Sequence, residues 1–418
     1  MPGKEVDFYA PDCVRGNDGR YYLYYFAAGP NTKPFGPLSV AVGDTPAGPF
    51  QHLGDVRYSD GTPVLKYLTN DPAVLNDNGR IWLYYGWGLG RDFRSKIFAP
   101  ILNLVQSKLF RRPMAEIRAT TPSILSCAVV ELEPDMLTVK GEPKAVLDSK
   151  TTASKDSPLY RHAFYEAASI RKFGELYYLV YSSGENNELA YATSRYPDRD
   201  FTYRGVIISN ADLGYRGNKM PKAPAGTIHG GIECINGQYY VFYHRLTNNT
   251  DFSRQTCAEP INILPDGTIE QAECTSCGLN GKPLKGEGTY PAAICCNLFM
   301  EKRIPVGVGK GQQYPRVDEK NGEVFVHDLM DGTTLGYKYF AFTGCKRIAV
   351  QTRGAGGSFS VRTAEDGAIL GTIAVPASEN WITTEAAIPV PDGVHALFLT
   401  YHGKGKADIL TITLGGNV

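Results

Sequence analysis

Gly19-Arg-Tyr-Tyr-Leu-Tyr-Tyr25 is an aromatic run behind a glycine turn, and the chain repeats it three more times. The copies are Gly79-Arg-Ile-Trp-Leu-Tyr-Tyr85, Gly174-Glu-Leu-Tyr-Tyr-Leu-Val-Tyr181 and Gly237-Gln-Tyr-Tyr-Val-Phe-Tyr243. Aromatic and β-branched residues after a turn read as a strand. The turns Asn17-Asp18-Gly19, Asp77-Asn78-Gly79 and Asn236-Gly237 supply residues that tolerate positive φ, so each turn joins two strands into a hairpin.

A second stretch follows in each unit. It is clearest in Ser39-Val-Ala-Val-Gly-Asp-Thr-Pro-Ala-Gly-Pro-Phe50 and Leu189-Ala-Tyr-Ala-Thr-Ser-Arg-Tyr-Pro-Asp-Arg-Asp-Phe201, with looser copies from Cys127 to Leu147 and from Cys257 to Glu273. The unit is therefore about four strands, recurring every ~60 residues, and such units stacked radially make a β-propeller. One spacing is longer because of an insertion from Gly90 to Thr121. Its apolar residues Ile97, Phe98, Ile101, Leu102, Leu104, Val105 and Leu109 fall at helical spacing, with Pro100 near a first turn. A short helix is expected there, either as a surface excursion on a blade or as a substrate wall.

Composition narrows the function classes. The 418 residues carry 43 basic and 43 acidic side chains, so there is no electrostatic footprint for nucleic acid or an anionic membrane. No long apolar run or signal-peptide pattern opens the chain, which gives the expectation of a cytoplasmic protein. Its nine cysteines are an odd number and read as reduced thiols. Cys274-x-x-Cys277 lacks a second pair or a nearby His pair to complete a zinc site.

Counting eight residues back from each glycine brings Asp71-Pro72, Glu166-Ala167 and His229-Gly230 into one register, with Ala10-Pro11 from the first repeat, whose turn is one residue longer. The first strand of each propeller blade lines the central channel, so these residues converge. Asp before Pro is by itself an ordinary turn or cap residue. Three ionisable residues in one register are another matter, because burying charge is costly. Paired carboxylates in a channel lined by Tyr and Trp are the equipment of glycoside hydrolysis, one protonating the leaving oxygen and one activating water. Trp87 fits either a sugar-stacking wall or a core aromatic.

Taken together, Tyr9-Ala-Pro-Asp-Cys-Val14, Asn70-Asp-Pro-Ala-Val-Leu-Asn-Asp-Asn-Gly79, Phe164-Tyr-Glu-Ala-Ala-Ser-Ile170, Ile228-His-Gly-Gly231 and Tyr243-His-Arg245 resemble glycoside hydrolase family 43 across residues 5 to 272. The resemblance implies a five-bladed propeller and an α-L-arabinofuranosidase, β-xylosidase or arabinanase acting with inversion. It implies Glu166 as general acid and Asp71 as the residue that orients this acid and tunes its pKa. His229 matches the channel histidine that helps hold a hydrated structural calcium; no organic cofactor is required. Arg254 matches an arginine near the bound sugar, with a surface ion pair as the alternative, and His162 is either a substrate contact or a structural histidine. The family's general base sits on a first blade that this sequence lacks, so the first blade reads as missing or truncated and the base as absent from the chain; neither Asp7 nor Asp12 falls in the expected register. The implied substrates are arabinoxylan, arabinan or xylan fragments. A non-catalytic sugar-binding protein or remnant, a fructan hydrolase and a mannoside phosphorylase remain as alternatives.

After Glu273 the repeat stops. Gly322-Glu-Val-Phe-Val-His327, Leu335 to Phe342, Arg347 to Arg353, Phe359 to Arg362, Ala396 to Tyr401 and Ile409 to Leu414 are short alternating strands, which suggests a β-sandwich. This part resembles the jelly-roll carbohydrate-binding modules of family 6, with Trp381 and Tyr337 as candidates for a sugar clamp and core packing as the alternative. The expectation is thus an all-β chain with a propeller over 1–272 and a sandwich over 273–418.

Overall fold

A computed structural model describes residues 7–28, 36–88, 99–109, 113–120, 125–250, 252–300 and 314–415. The chain forms two compact units: Met1–Ile207 with His229–Glu233 and Ile263–Ile269, and Ile208–Ile228 with Cys234–Asn262 and Glu270–Val418.

Three repeats in the first unit are antiparallel four-stranded sheets. The first holds β1 (Asp7–Arg15), β2 (Tyr21–Ala28), β3 (Ser39–Gly43) and β4 (Gln51–Asp55). The second holds β5 (Ala73–Asp77), β6 (Arg80–Gly86), β7 (Ser126–Leu132) and β8 (Lys144–Asp148). The third holds β9 (Phe164–Phe173), β10 (Leu176–Ser183), β11 (Glu188–Ser194) and β12 (Thr202–Ser209). The fourth repeat gives three strands, β13 (Gly231–Ile235), β14 (Gln238–Leu246) and β15 (Arg254–Ile261).

The turns form as their residues dictate: Asn78 and Gly79 both take positive φ, as do Asn236 and Gly237, the two-residue geometry that matches strand twist. Faces of neighbouring sheets then close on each other. Tyr24, Val40, Val74, Leu83, Tyr85 and Val130 fill one core, and Trp82, Tyr84, Val129, Ile170, Leu179 and Tyr181 fill the next. Strands β6 and β10 are buried on both sides, whereas β2 alternates, as a strand with one packed face must. The first strands β1, β5 and β9 lie against one another, so the residues on them can meet.

The insertion contains the expected helix, α1 (Ala99–Leu109), with Pro100 at its second residue where the missing N–H costs nothing, followed by α2 (Met114–Thr120). Ile97 and Phe98 lie outside the described residues.

In the second unit, β16 (Leu284–Lys285), β17 (Gly288–Pro291), β18 (Asn297–Met300), β19 (Arg316–Lys320), β20 (Glu323–Leu329), β21 (Thr333–Phe342), β22 (Arg347–Gly354), β23 (Gly357–Arg362), β24 (Gly371–Val375), β25 (Ser378–Ala387), β26 (Gly393–His402) and β27 (Ala407–Gly415) form two sheets. One runs β16-β21-β26-β23-β24 with β18 on β21; the other runs β19-β20-β27-β22-β25 with β17 on β27. Leu335, Phe340, Ile348, Phe359, Leu397 and Ile412 pack in a shared core, giving a β-sandwich-like region.

Tyr337 is not available as a sugar clamp. It is 0% exposed in this core and donates its hydroxyl to the Ala292 carbonyl at 3.1 Å. Trp381 is half-buried; the Arg353 guanidinium lies 4.3 Å from its ring centre, and its indole N–H donates to Glu323. None of the nine cysteines is in a disulfide.

Candidate active site

The site is built from the starts of the first strands. Counting from the glycines misplaces Glu166 by one residue. In the second sheet Asp77 pairs with Arg80, so Gly79 is the second residue of its turn; in the third, Phe173 pairs with Leu176, so Gly174 is the first. Counted from the paired strands, Asp71 is equivalent to Ala167, and both have positive φ, 45° and 64°. Ala10 shares this conformation at 43°. Glu166 therefore precedes the kink that Asp71 occupies.

The offset is what joins the two carboxylates. Asp71 is buried, 8% exposed, and its Oδ2 accepts the N–H of Ala167 at 2.9 Å. It thus grips the backbone next to Glu166, which is half-buried on β9 and pairs with Ser182.

A wall stands beside them. The ring of Trp87 lies 6.2 Å from that of Tyr165, the residue before Glu166, and packs with Leu68, Ile117 and Leu125. Gly88 donates its N–H to the Tyr165 carbonyl at 2.5 Å. A Cβ at Gly88 would sit 2.3 Å from the Phe164 carbonyl oxygen, so only glycine permits this approach. Burial raises the Tyr165 phenol above its ordinary pKa; the charge of Glu166 adds to this, a hydrogen bond from Trp87 opposes it, and Asp71 adds again.

Arg171 was not singled out from the sequence, and Asp12 was set aside there only as a general base. A bulge between Tyr9 and Asp12 carries the Asp12 carboxylate to β5, where Oδ2 accepts the Val74 N–H at 2.9 Å. Burial raises its pKa, while the charge of Arg171, the N–H groups of Val74 and Cys13, and His229 act against this. The Arg171 guanidinium lies 3.9 Å from Asp12 and donates to Glu233 at 2.8 Å. The signal was present in sequence as Ala-Pro-Asp, but the bulge that aims the acid was not.

His229 thus falls near Asp12. Calcium takes six to eight oxygen ligands. Among the described residues no group of three or more His, Cys, Asp or Glu side chains converges to hold a metal, and Arg171 lies 3.9 Å from Asp12. His162 is tied to the outer strands: Nδ1 lies 2.5 Å from Glu188 Oε1, and the ring stacks on Tyr203 at 5.4 Å. Arg254 is the exposed first residue of β15, in the second unit.

Two acids linked through one peptide, beside an aromatic wall, form an acid catalyst's setting. The family model of glycosyl hydrolases family 43 matches residues 1–269. The chain belongs to that family. It is 41% identical to a xylosidase/arabinosidase of Thermoclostridium stercorarium, over 99% of this chain and 84% of that one. A β-xylosidase of Xylanibacter ruminicola is 29% identical over 65% of this chain and 76% of its own. Among solved structures, a family 43 β-xylosidase/α-arabinofuranosidase from a compost microbial metagenome is similar at 26% identity and a TM-score of 0.46, covering 65% of this chain and 75% of that chain. As a family 43 member the chain is a glycosidase, and its substrate is a carbohydrate.

Proposed function

We propose that this family 43 glycosidase removes α-L-arabinofuranosyl or β-D-xylosyl residues from plant-derived oligosaccharides, with inversion. Glu166 protonates the glycosidic oxygen, and Asp71 orients it. The observation that carries this reading is the bond from the Ala167 N–H to Asp71, which fixes the backbone beside Glu166. An inverting site keeps its two reacting carboxylates about 6.5–9.5 Å apart to admit water. The base that activates this water is not assigned to any described residue. Asp12 is held by the Val74 N–H and faces Arg171, an arrangement that suits a positioning role. In this reading the sheets are blades of a five-bladed propeller over 1–272, and 273–418 is an accessory sandwich. No step passes through a cofactor.

The test is hydrolysis of methyl β-D-xyloside and methyl α-L-arabinofuranoside, whose leaving groups need a proton, by the chain and by Glu166→Gln. Turnover by the chain that falls by roughly 10²–10⁴ in the variant supports the reading. Equal turnover by both overturns it.

A further inference from the structure

The second unit holds a cavity of about 270 Å³ in which neither Asp71 nor Glu166 takes part. One wall is the β14–β15 hairpin. Tyr243 pairs with Cys257 and Arg245 with Gln255, and strand residues two apart share a face, so all four side chains line the cavity together. Arg245 is the one charged residue among the described residues of the lining, which also takes in Leu279 and Ile294. Its guanidinium is held by the wall itself: Nε donates to Gln255 Oε1 at 2.7 Å, Nη1 to the Cys295 carbonyl and Nη2 to the Ala293 carbonyl. A guanidinium has five N–H groups, so one is left on each Nη. Burial raises the thiol pKa values of Cys257 and Cys295 although Arg245 acts against it, and neither thiol is the counter-charge.

We infer that this cavity binds a small organic monocarboxylate, its two oxygens on the remaining N–H of each Arg245 Nη and its carbon skeleton against the apolar lining. A cation drawn into a wall of carbonyls and apolar side chains is costly without an opposite charge, and the lining supplies none. A fixed guanidinium matches the fork of a carboxylate. One cation balances one negative charge, whereas a phosphate brings more charge than this lining can meet. The volume lies just under the ~300 Å³ at which ligand pockets begin, which limits the occupant to a few carbons.

Cys257, half-buried in the lining, makes the site testable by labelling. Iodoacetate is a monocarboxylate and iodoacetamide its neutral counterpart; with either, a sulfur–carbon bond forms as iodide leaves and the thiol proton passes to water. Labelling of the full chain is followed by peptide mass spectrometry, with the exposed Cys234 as reference thiol. The iodoacetate rate at Cys257 is expected to level off with concentration and to be slowed by propionate but not by propanamide, while the iodoacetamide rate stays proportional to concentration. In Arg245→Gln, checked for an unchanged melting transition, the iodoacetate-to-iodoacetamide ratio at Cys257 is expected to fall roughly 10- to 100-fold, the worth of a hydrogen bond to a charged group, with the ratio at Cys234 unchanged. The propionate arm uses the unaltered chain and decides even where the variant does not fold. An iodoacetate rate that stays proportional to concentration and ignores propionate overturns the inference, as does an unaltered ratio in folded Arg245→Gln. Protection by inorganic phosphate equal to that by propionate overturns the carboxylate class. Should neither reagent reach Cys257, calorimetric titration of propionate into the chain decides: saturable heat supports the site, and its absence overturns it.

Discussion

Asp71 Oδ2 lies 2.9 Å from the amide nitrogen of Ala167, one residue beyond Glu166, so one carboxylate grips the peptide that carries the other, and in the proposed mechanism this is how Asp71 orients Glu166. Asp71→Asn keeps an acceptor for this N–H and is expected to melt near the unaltered chain while losing most turnover. Asp71→Ala removes the acceptor and places alanine at φ 45°. An orphaned buried N–H costs about 1–3 kcal/mol. Comparing thermal melts and kcat of both variants checks the separation; equal melting of the two contradicts it.

Gly88→Ala is expected to destabilise the first unit and to disturb the site as well. The added methyl meets the Phe164 carbonyl, and the neighbouring Tyr165 and Glu166 must shift with it. Overpacking of this kind costs about 1–3 kcal/mol. Denaturant unfolding gives the loss, and xylose titration shows whether binding falls too.

The repeat units were legible because a glycine turn before alternating aromatics has few other solutions. All six C-terminal runs read as strands are strands, from β20 to β27. Asp71 and Glu166 could be picked out as chemistry-bearing residues, but not their offset, because the same glycine serves as either residue of a two-residue turn. Asp12 was hidden by a bulge, which no local spacing announces. Tyr337 could not be told from a surface aromatic, since β21 is buried along nearly its whole length and shows no alternation.

Glu259 makes the stability of the second unit depend on pH. It is buried, and burial raises its carboxyl to about 7 although Thr275 and Tyr243 donate to it. The folded state thus keeps its proton while the unfolded chain gives it up near 4.5. This contribution is fully present below pH 4.5 and is lost as pH rises through about 7. Urea unfolding from pH 4 to 8 is expected to show that decline, and Glu259→Gln to remove it. An unaltered slope in the variant contradicts the assignment.

Lys338 is buried and bridges Asp212 at 3.1 Å and Glu273 at 2.9 Å. Burial opposes its charge, and Cys296, Asp212 and Glu273 outweigh that and hold it protonated. Lys338→Met leaves two acids without their cation and is expected to cost about 3–5 kcal/mol. Adding Asp212→Asn to that variant is expected to recover part of the loss, measured by the same unfolding curves.

The central claim is that Glu166 delivers the proton to the leaving oxygen, and leaving-group dependence tests it most directly. Turnover of methyl xyloside needs that proton, whereas a dinitrophenolate leaves readily without it. Measured side by side, Glu166→Gln is predicted to lose roughly 10²–10⁴ in rate on the methyl glycoside and far less on the dinitrophenyl one. Equal losses on both substrates, or no loss on the methyl glycoside, contradict the claim.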